Sequence, residues 1–308
     1  MTLETPQGWD TILPYIRPLA QFVHDPDVSE IMVNADGQVF VERYGCIQTQ
    51  LGRFPHENLK AAVTRIARNL GQDISPARPI LQARLPDGSR VAAAMPPCSV
   101  GGITLTIRKF QHARFSLDAL ESAGMLTSEH RQILVDAIAN RRNILISGGA
   151  GTGKTTLLNA LCGLIDQHQR IVIIEDVAEL QVDQPNVVRF ETLREMPGVP
   201  AVTIKELLRL ALRYRPDRII LGEVRGAEAY HLIQALNTGH AGAISTLHAN
   251  SAPDTPQRLI GCVLQEVPAM NPAYILEHWI EPVIDLYVHL IRSIDGVRTV
   301  EQIRSSHL

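Results

Sequence analysis

Paired cysteines, aromatic residues, long apolar runs and an excess of positive charge are scarce or missing in this sequence of 308 residues. Its four cysteines, Cys46, Cys98, Cys162 and Cys262, form no C-x-x-C pair, which argues against a zinc ribbon or a redox dithiol. Isolated cysteines are typical of a reducing compartment. An aromatic content of 5% and a net charge of −3 provide neither an evident stacking track nor a global attraction for nucleic acid.

Membrane and export signals are also missing. No apolar run comes near the roughly 18 residues that a membrane-spanning helix needs. The first residues include Glu4 and Asp10 and lack the basic and apolar regions of a secretory signal peptide. Hydrophobic residues make up 45% of the chain and charged residues 20%, as in ordinary globular proteins, and the length favours two domains. We therefore expect a cytoplasmic protein, which could still dock on a membrane complex.

Residues 1–110 have the pattern of a smaller α+β domain. The predicted elements are strands at 30–34, 38–42 and 102–109 and a helix at 59–70. The first two strands are joined by Ala-Asp-Gly, which is a hairpin signal, and the helix carries apolar residues at helical spacing before a stop at Gly71. Residues 111–122 have no clear period and are the predicted linker.

Residues 123–308 alternate apolar strands with helices. The predicted strands are at 143–147, 171–175, 218–222 and 242–246, and the predicted helices are at 154–165, 203–214, 226–237 and 255–266. Thr203 and Glu206 have the spacing of a capping box, and Thr127 or Ser128 can cap an earlier helix. This alternation predicts an α/β domain with a mainly parallel sheet covered on both faces.

A glycine-rich stretch within this second domain carries the strongest chemical signal. Residues 148–155 fit G-x-x-x-x-G-K-[ST], the phosphate-binding loop of nucleotide hydrolases, with an apolar strand before it and a helix-like run after it. Glycines let backbone N–H groups turn towards an anion, and the helix adds its positive end. Lys154 is expected to reach the β- and γ-phosphates and Thr155 to bind Mg²⁺. The predicted loop contacts are Gly148, Gly149, Ala150, Gly151, Thr152, Gly153, Lys154, Thr155 and Thr156.

Carboxylates follow two other apolar strands. Asp176 and Glu179 come directly after residues 171–175, at the strand end where parallel sheets bind ligands and where acids can orient water on Mg²⁺. Taken alone, a solvated acidic loop explains them equally well. Glu223 ends the strand at 218–222, the Walker B position beside metal and γ-phosphate, and can take a proton from attacking water. The alternative for Glu223 is a surface acid at a strand end.

Arginines and histidines surround the later strands. The arginines near the Walker B strand are Arg209, Arg213, Arg215, Arg218 and Arg225. Guanidinium groups match phosphate geometry, but most of the five are expected to be solvated or paired with acids, with one or two reaching phosphate in the same or a neighbouring subunit. His240 and His248 flank residues 243–246, and without a third ligand they do not suggest zinc. A neutral imidazole near the γ-phosphate can sense nucleotide state, and ordinary packing is the competing explanation.

Four motifs thus stand in order along about a hundred residues. They cover residues 148–155, 174–179, 215–225 and 238–250. This set resembles the Walker A, Asp box, Walker B and His box of the secretion ATPases of type II and type IV secretion systems. The likeness is greatest to the conjugal-transfer and tight-adherence pilus branch, and segments 27–34, 85–90 and 105–109 share it. The tetracysteine zinc motif of many type II secretion and pilus-extension ATPases is absent from the sequence.

The resemblance implies a cytoplasmic homohexamer with a sensor-like N-terminal domain and a RecA-like P-loop core. It implies ATP and Mg²⁺ as ligands, and other components of an inner-membrane secretion or pilus machine as partners. The implied catalytic residues are Glu223, Lys154 and Glu179, and the implied metal-binding residues are Thr155, Asp176 and Glu179. The implied nucleotide-sensing residues are His240, His248, Arg215 and Arg225, and Arg108 matches a nucleotide-contacting arginine of the N-terminal domain.

The leading interpretation is an ATP-hydrolysing motor that energises type IV secretion, conjugal DNA transfer or pilus assembly. A RecA-like nucleic-acid motor, either helicase or translocase, is the alternative, although sequence-specific nucleic-acid binding is not expected. A nucleotide switch with negligible turnover is a third interpretation, which Glu223 and the full motif set disfavour. No guanine-reading N-K-x-D motif occurs, so ATP is favoured over GTP. The transported substrate stays open.

Overall fold

The computed structural model describes residues 9–110, 115–193 and 200–306. The chain divides into two compact units, Met1–His112 and Ala113–Leu308. Of the predicted linker, residues 111–114 lie outside the described part, and Leu117–Ser122 form a helix capped by the Ser116 side chain. No helix among the described residues is both long enough and apolar enough to cross a bilayer.

The first unit contains an antiparallel sheet. Its helices and strands are α1 (Ala20–His24), β1 (Val28–Val33), β2 (Gln38–Arg43), β3 (Cys46–Arg53), α2 (His56–Asn69), β4 (Ile80–Arg84), β5 (Arg90–Ala94) and β6 (Thr104–Arg108), preceded by 3₁₀ segments at Leu13–Tyr15 and Arg17–Leu19. The strand order is β3-β2-β1-β6-β5-β4, and each neighbouring pair is antiparallel. The predicted hairpin and helix are present, whereas the sequence did not single out β3 or β4.

Apolar side chains from both layers form the core of this unit. Leu59, Val63 and Ile66 of α2 are fully buried at helical spacing, and they join Ile31 and Ile107 of the sheet. Burial of each such side chain contributes about 1.5–3 kcal/mol. The helix is therefore held on the sheet by the apolar stripe that the sequence pattern predicted.

The second unit alternates strands and helices along the chain. Its elements are α3 (Leu117–Ser122), α4 (Ser128–Ala139), β7 (Ile144–Gly148), α5 (Lys154–Cys162), β8 (Ile171–Glu175), β9 (Val187–Glu191), α6 (Ile204–Ala211), β10 (Arg218–Val224), α7 (Glu228–Asn237), β11 (Ile244–His248), α8 (Asp254–Val263), α9 (Pro272–Ile275), β12 (Leu286–Arg292) and β13 (Arg298–Ser305), with a 3₁₀ turn at Leu212–Tyr214 and a π-helical turn at Leu276–Ile280. Thr127 caps α4, and Thr203 with Glu206 forms the predicted capping box of α6.

The sheet of this unit has the order β13-β12-β7-β11-β10-β8-β9. Strands β12 to β9 are parallel, and β13 is antiparallel at one edge. The four predicted strands occupy its centre, and β9, β12 and β13, which the sequence did not single out, extend it on both sides. The predicted mainly parallel sheet is therefore confirmed.

Both faces of this sheet are buried. Leu145, Val172 and Leu221 pack in one core with α6, α7 and α8, while Ile146 and Ile220 pack in the other with α3, α4 and α5. Each strand contributes to the two cores in alternation, because successive side chains point to opposite faces. Since the strands are parallel, the carboxyl ends of β7, β8, β10 and β11 meet along one edge.

Candidate functional site

The glycine-rich loop connects β7 to α5 at this carboxyl edge. Gly148, Gly151 and Gly153 have φ of +149°, +71° and +95°, a region that side chains other than glycine rarely adopt. A Cβ at Gly148 would collide with the carbonyl oxygen of Leu290 on the neighbouring strand β12. The loop therefore needs glycine both for its curvature and for its close approach to β12, and it ends at the N-terminus of a nine-residue helix.

Lys154 is folded onto this loop. Its Nζ donates to the carbonyl oxygens of Gly148 at 2.9 Å and Gly149 at 2.7 Å, and it lies 3.3 Å from His248 Nδ1. Burial lowers the pKa of Lys154, and the charge of Glu223 partly offsets this by raising it. The ammonium group is therefore placed at the loop, where phosphate oxygens would accept stronger, charge-assisted hydrogen bonds than carbonyls do.

A continuous chain of polar contacts leads from Lys154 to the acidic strand ends. His248 Nε2 lies 3.0 Å from Glu223 Oε1, Arg225 Nη2 donates to Glu223 Oε2 at 2.8 Å, and Arg225 Nη1 donates to Asp176 Oδ2 at 2.8 Å. A neutral His248 can accept from Lys154 through Nδ1 and donate to Glu223 through Nε2. Burial, followed by the Lys154 charge, lowers the pKa of His248 and so favours that neutral form. The structure thus brings together five residues that the sequence predicted for the site.

Glu175 shapes the loop that carries the other predicted acids. Its buried Oε1 accepts backbone N–H groups of Glu179 at 2.8 Å and Leu180 at 3.0 Å. Burial raises the pKa of Glu175, and the two backbone hydrogen bonds oppose this shift. The last acid of strand β8 is therefore a structural anchor, which sets the path of the chain through Asp176 and Glu179.

His240 and Arg215 are not brought to this edge. His240 precedes β11, and its ring lies 3.2 Å from the carbonyl oxygen of Ala235 at the end of α7. Arg215 is exposed, has φ of +52° and precedes β10. Both residues therefore lie at the amino ends of parallel strands, opposite to the glycine-rich loop. Their role in nucleotide sensing stays a prediction.

Two further arginines have contacts of their own. Arg108 lies in β6 of the first unit, 3.5 Å from Glu30, and its nucleotide contact stays a prediction. Arg218 is buried at the start of β10, and its guanidinium donates to Gln169 Oε1 and to the carbonyl oxygens of Gly242 and Ile138. Burial lowers its pKa to about 10. Arg218 thus supports the fold on the side away from the loop.

The donor set around the loop suits Mg²⁺ better than a metal held by protein alone. In the described residues, no group of three or more histidines, cysteines or acids is placed to hold a metal ion. Mg²⁺ keeps several waters and usually takes only one or two protein ligands beside substrate phosphates. Thr155 and Thr156 are half-buried in the first turn of α5, and Asp176 lies at the same sheet edge. Hydroxyl and carboxylate oxygens of this kind would suit a hydrated magnesium ion.

A cleft of about 590 Å³ borders the loop on the side of α8. Its walls are formed by the loop, the end of β11 and the start of α8; the lining residues are Gly149, Ala150, His248, Ala249, Asn250, Asp254, Gln257 and Arg258. Sequence reasoning missed Asn250, Gln257 and Arg258 as site residues. Their position on the strand–helix connection directly after His248 was the available signal.

This edge of the parallel sheet combines a glycine-rich loop, a helix N-terminus, a lysine and carboxylates at strand ends. Together, these features define a P-loop nucleotide-binding protein. The family model of the type II/IV secretion system proteins matches residues 16–297. The chain therefore belongs to that family, as the resemblance predicted. Membership implies that it is a secretion ATPase, and the predicted α/β fold class is confirmed as well.

Individual relatives support the same assignment. The chain is 38% identical over 300 residues to a type IV secretion system protein PtlH homologue of Bordetella bronchiseptica, covering 89% of this chain and 88% of the relative. It is 36% identical over 309 residues to the type IV secretion system protein VirB11 of Brucella suis, covering 90% and 84%. A crystal structure of the Brucella suis VirB11 ATPase in complex with sulphate matches with a TM-score of 0.53 and 33% identity, covering 97% of this chain and 95% of the other.

Proposed function

We propose that this chain hydrolyses ATP with Mg²⁺ and energises a type IV secretion, conjugal-transfer or pilus-assembly machine. The observation that carries the proposal is the contact chain from Lys154 through His248 to Glu223. It links the phosphate-binding lysine to a carboxylate that can serve as general base. In this proposal, phosphate binding and water activation share one edge of one sheet.

Each residue of the site has a defined task in this scheme. The backbone amides of residues 148–153 and the Lys154 ammonium hold the phosphates. Thr155, Asp176 and Glu179 would hold Mg²⁺, which would supply charge neutralisation on the phosphates. Glu223 accepts a proton from the attacking water once one of its carboxylate oxygens is released by His248 or Arg225.

The assembly proposed for the chain rests on its membership of the secretion ATPase family. Several relatives are type IV secretion system proteins by name. We infer a homohexamer at the cytoplasmic face of the inner membrane, where the ring meets other components of the machine. A ring of identical subunits uses a heterologous interface that closes on itself, and such an interface can supply Arg215, His240 or Arg108 to a neighbouring site.

Glu223→Gln tests the proposed base directly. We expect ATP binding to persist, because the loop and Lys154 are unchanged, and turnover to fall by roughly 10²–10⁴-fold, the usual contribution of a general base. Phosphate release and calorimetric ATP binding are measured on the same preparation. Glu277→Gln, an exposed acid of the same unit, is the control. Wild-type turnover in the Glu223 variant would show that Glu223 is not the general base. ATPase activity that DNA stimulates, together with strand displacement, would favour the nucleic-acid motor instead.

A further inference from the structure

Beneath the glycine-rich loop lies a buried polar chain that the proposed mechanism does not use. Thr255 of α8, Ser147 of β7 and His289 of β12 are 0%, 0% and 2% exposed. Thr255 Oγ1 lies 2.8 Å from Ser147 Oγ, which in turn lies 2.8 Å from His289 Nδ1. Buried polar groups are costly unless they are paired, so these three side chains depend on one another.

Thr255 has a single hydroxyl proton, which it can donate to Ser147 or to the carbonyl oxygen of Ser251, and the two cases give the chain opposite directions. If Thr255 donates to Ser147, the single proton of Ser147 is available for His289, whose Nδ1 must then be an acceptor. Burial lowers the pKa of His289 and so favours the neutral ring that has such an acceptor, while the nearby charges of Glu301 and Asp254 oppose the shift and that of Lys154 adds to it. The three side chains are thus linked by hydrogen bonds in either direction.

Two members of this chain, Ser147 and Thr255, are attached to the proposed catalytic contacts. Ser147 directly precedes Gly148, whose carbonyl oxygen accepts from Lys154 at 2.9 Å. Thr255 lies in the first turn of α8, at the end of the connection that starts at His248. Its hydroxyl also lies 3.2 Å from the carbonyl oxygen of Ser251, within that connection. The Thr255 hydroxyl joins the loop that holds phosphate to the segment that holds the histidine when it donates to the Ser251 carbonyl oxygen and accepts from Ser147.

We infer that Thr255, Ser147 and His289 are positioning residues, which hold the His248 segment against the glycine-rich loop and so determine turnover more than ATP affinity. The inference rests on the ATPase function proposed above. Without the hydroxyl of Thr255, the loop amides and Lys154 would still bind phosphate. His248, however, would lose its fixed position between Lys154 and Glu223, and the alignment of the base would be relaxed.

Thr255→Val and Thr255→Ser are the decisive pair, since valine keeps the shape and removes the hydroxyl while serine keeps the hydroxyl. In the full chain we expect valine to lower kcat about 10-fold, the effect of one lost hydrogen bond, with the ATP Kd within about 3-fold of wild type. Serine should restore kcat. Ser147→Ala should resemble valine, and Ser89→Ala, which removes a buried hydroxyl of the first unit, should leave kcat unchanged.

Hydrogen exchange of residues 248–254 provides a readout that needs no turnover. We expect faster exchange there in Thr255→Val than in Thr255→Ser or wild type. Unchanged exchange and unchanged kcat in the valine variant would overturn the inference. So would a parallel loss of kcat and ATP binding that serine fails to restore, because that result marks a purely structural residue. An inactive wild type would contradict the proposed ATPase, while the exchange comparison would still decide whether the hydroxyl holds the His248 segment.

Discussion

The protonation state of a side chain at the loop depends on the charges of its neighbours, and His248 shows this most directly. It lies between a cation and a carboxylate, Lys154 and Glu223, at 3.3 Å and 3.0 Å. Its pKa is lowered first by burial and then by Lys154, and it is raised by Glu223. The neutral ring can serve both neighbours at once, whereas a protonated ring could no longer accept from the lysine.

Lys154→Ala tests how the charge of Lys154 affects the pKa of His248. Removing the ammonium removes a charge that lowers the pKa of His248, so the ring should titrate at higher pH than in wild type. Histidine NMR titration measures the shift, with the exposed His278 as an internal control. The same variant should lose ATP binding, because the loop would keep its amides but lose its cation. A His248 titration unchanged by the substitution would contradict the contact between these residues.

Three acids that are close together in the sequence make different contacts in the structure. Glu175, Asp176 and Glu179 stand close together in the sequence, yet Glu175 is buried on backbone amides and Asp176 pairs with Arg225. The sequence predicted an acidic strand end, which is correct. It named Asp176 and Glu179 for the site and gave Glu175 no task, because the anchoring role of Glu175 depends on the backbone amides that its buried carboxylate reaches.

At the scale of elements, the connection between β7 and α5 is constrained by strand β12. Parallel pairing places Leu290 opposite Gly148, and a side chain at that position would meet the Leu290 carbonyl. Gly261, in contrast, lies inside α8, where an added Cβ would meet no atom from another part of the chain within 4 Å. Packing therefore requires glycine at position 148, whereas Gly261 is a glycine that the helix merely tolerates.

Gly148→Ala and Gly261→Ala should consequently shift stability in opposite directions. We expect Gly148→Ala to lower the free energy of unfolding by about 1–3 kcal/mol through overpacking, and to weaken ATP binding. Gly261→Ala should raise it by about 0.5–1 kcal/mol, because alanine loses less backbone entropy in a helix. Chemical denaturation and calorimetry measure both variants. A stable Gly148→Ala protein with normal ATP affinity would show that the contact with β12 is unimportant.

At the scale of the whole molecule, two predicted nucleotide-sensing residues bear on the proposed ring, because they lie at the sheet edge opposite to the loop. Arg215 and His240 lie at the amino ends of their strands. In the proposed homohexamer, a closed ring would give such residues access to the nucleotide site of a neighbouring subunit.

Light scattering with and without a non-hydrolysable ATP analogue tests the ring. We expect a mass close to six chains of 34.0 kDa when the analogue is present. Bound nucleotide should favour assembly wherever it contacts two subunits at once. Lys154→Ala, which should not bind the analogue, serves as the control and should show no nucleotide-dependent gain in mass. A strict monomer under both conditions would contradict the hexamer.

What the sequence alone determined is local chemistry. Residues 148–155, the capping box at Thr203 and the alternation of strands and helices could be predicted, because each depends on spacing within a few residues. The motif order was sufficient to predict the family. Glu223 was also predictable, as an acid at the end of an apolar strand.

Tertiary structure decided which of these groups meet. The hydrogen bond between Thr255 and Ser147 spans 108 residues, and the contact between Ser147 and His289 spans 142, so no local pattern indicates either. Strands β12 and β13 beside the loop were missed for the same reason, since pairing partners in a sheet are chosen by packing across the chain. The parallel direction of β10 and β11 placed His248 at the loop and His240 at the opposite edge, because a strand carries its two ends to different sides of the sheet.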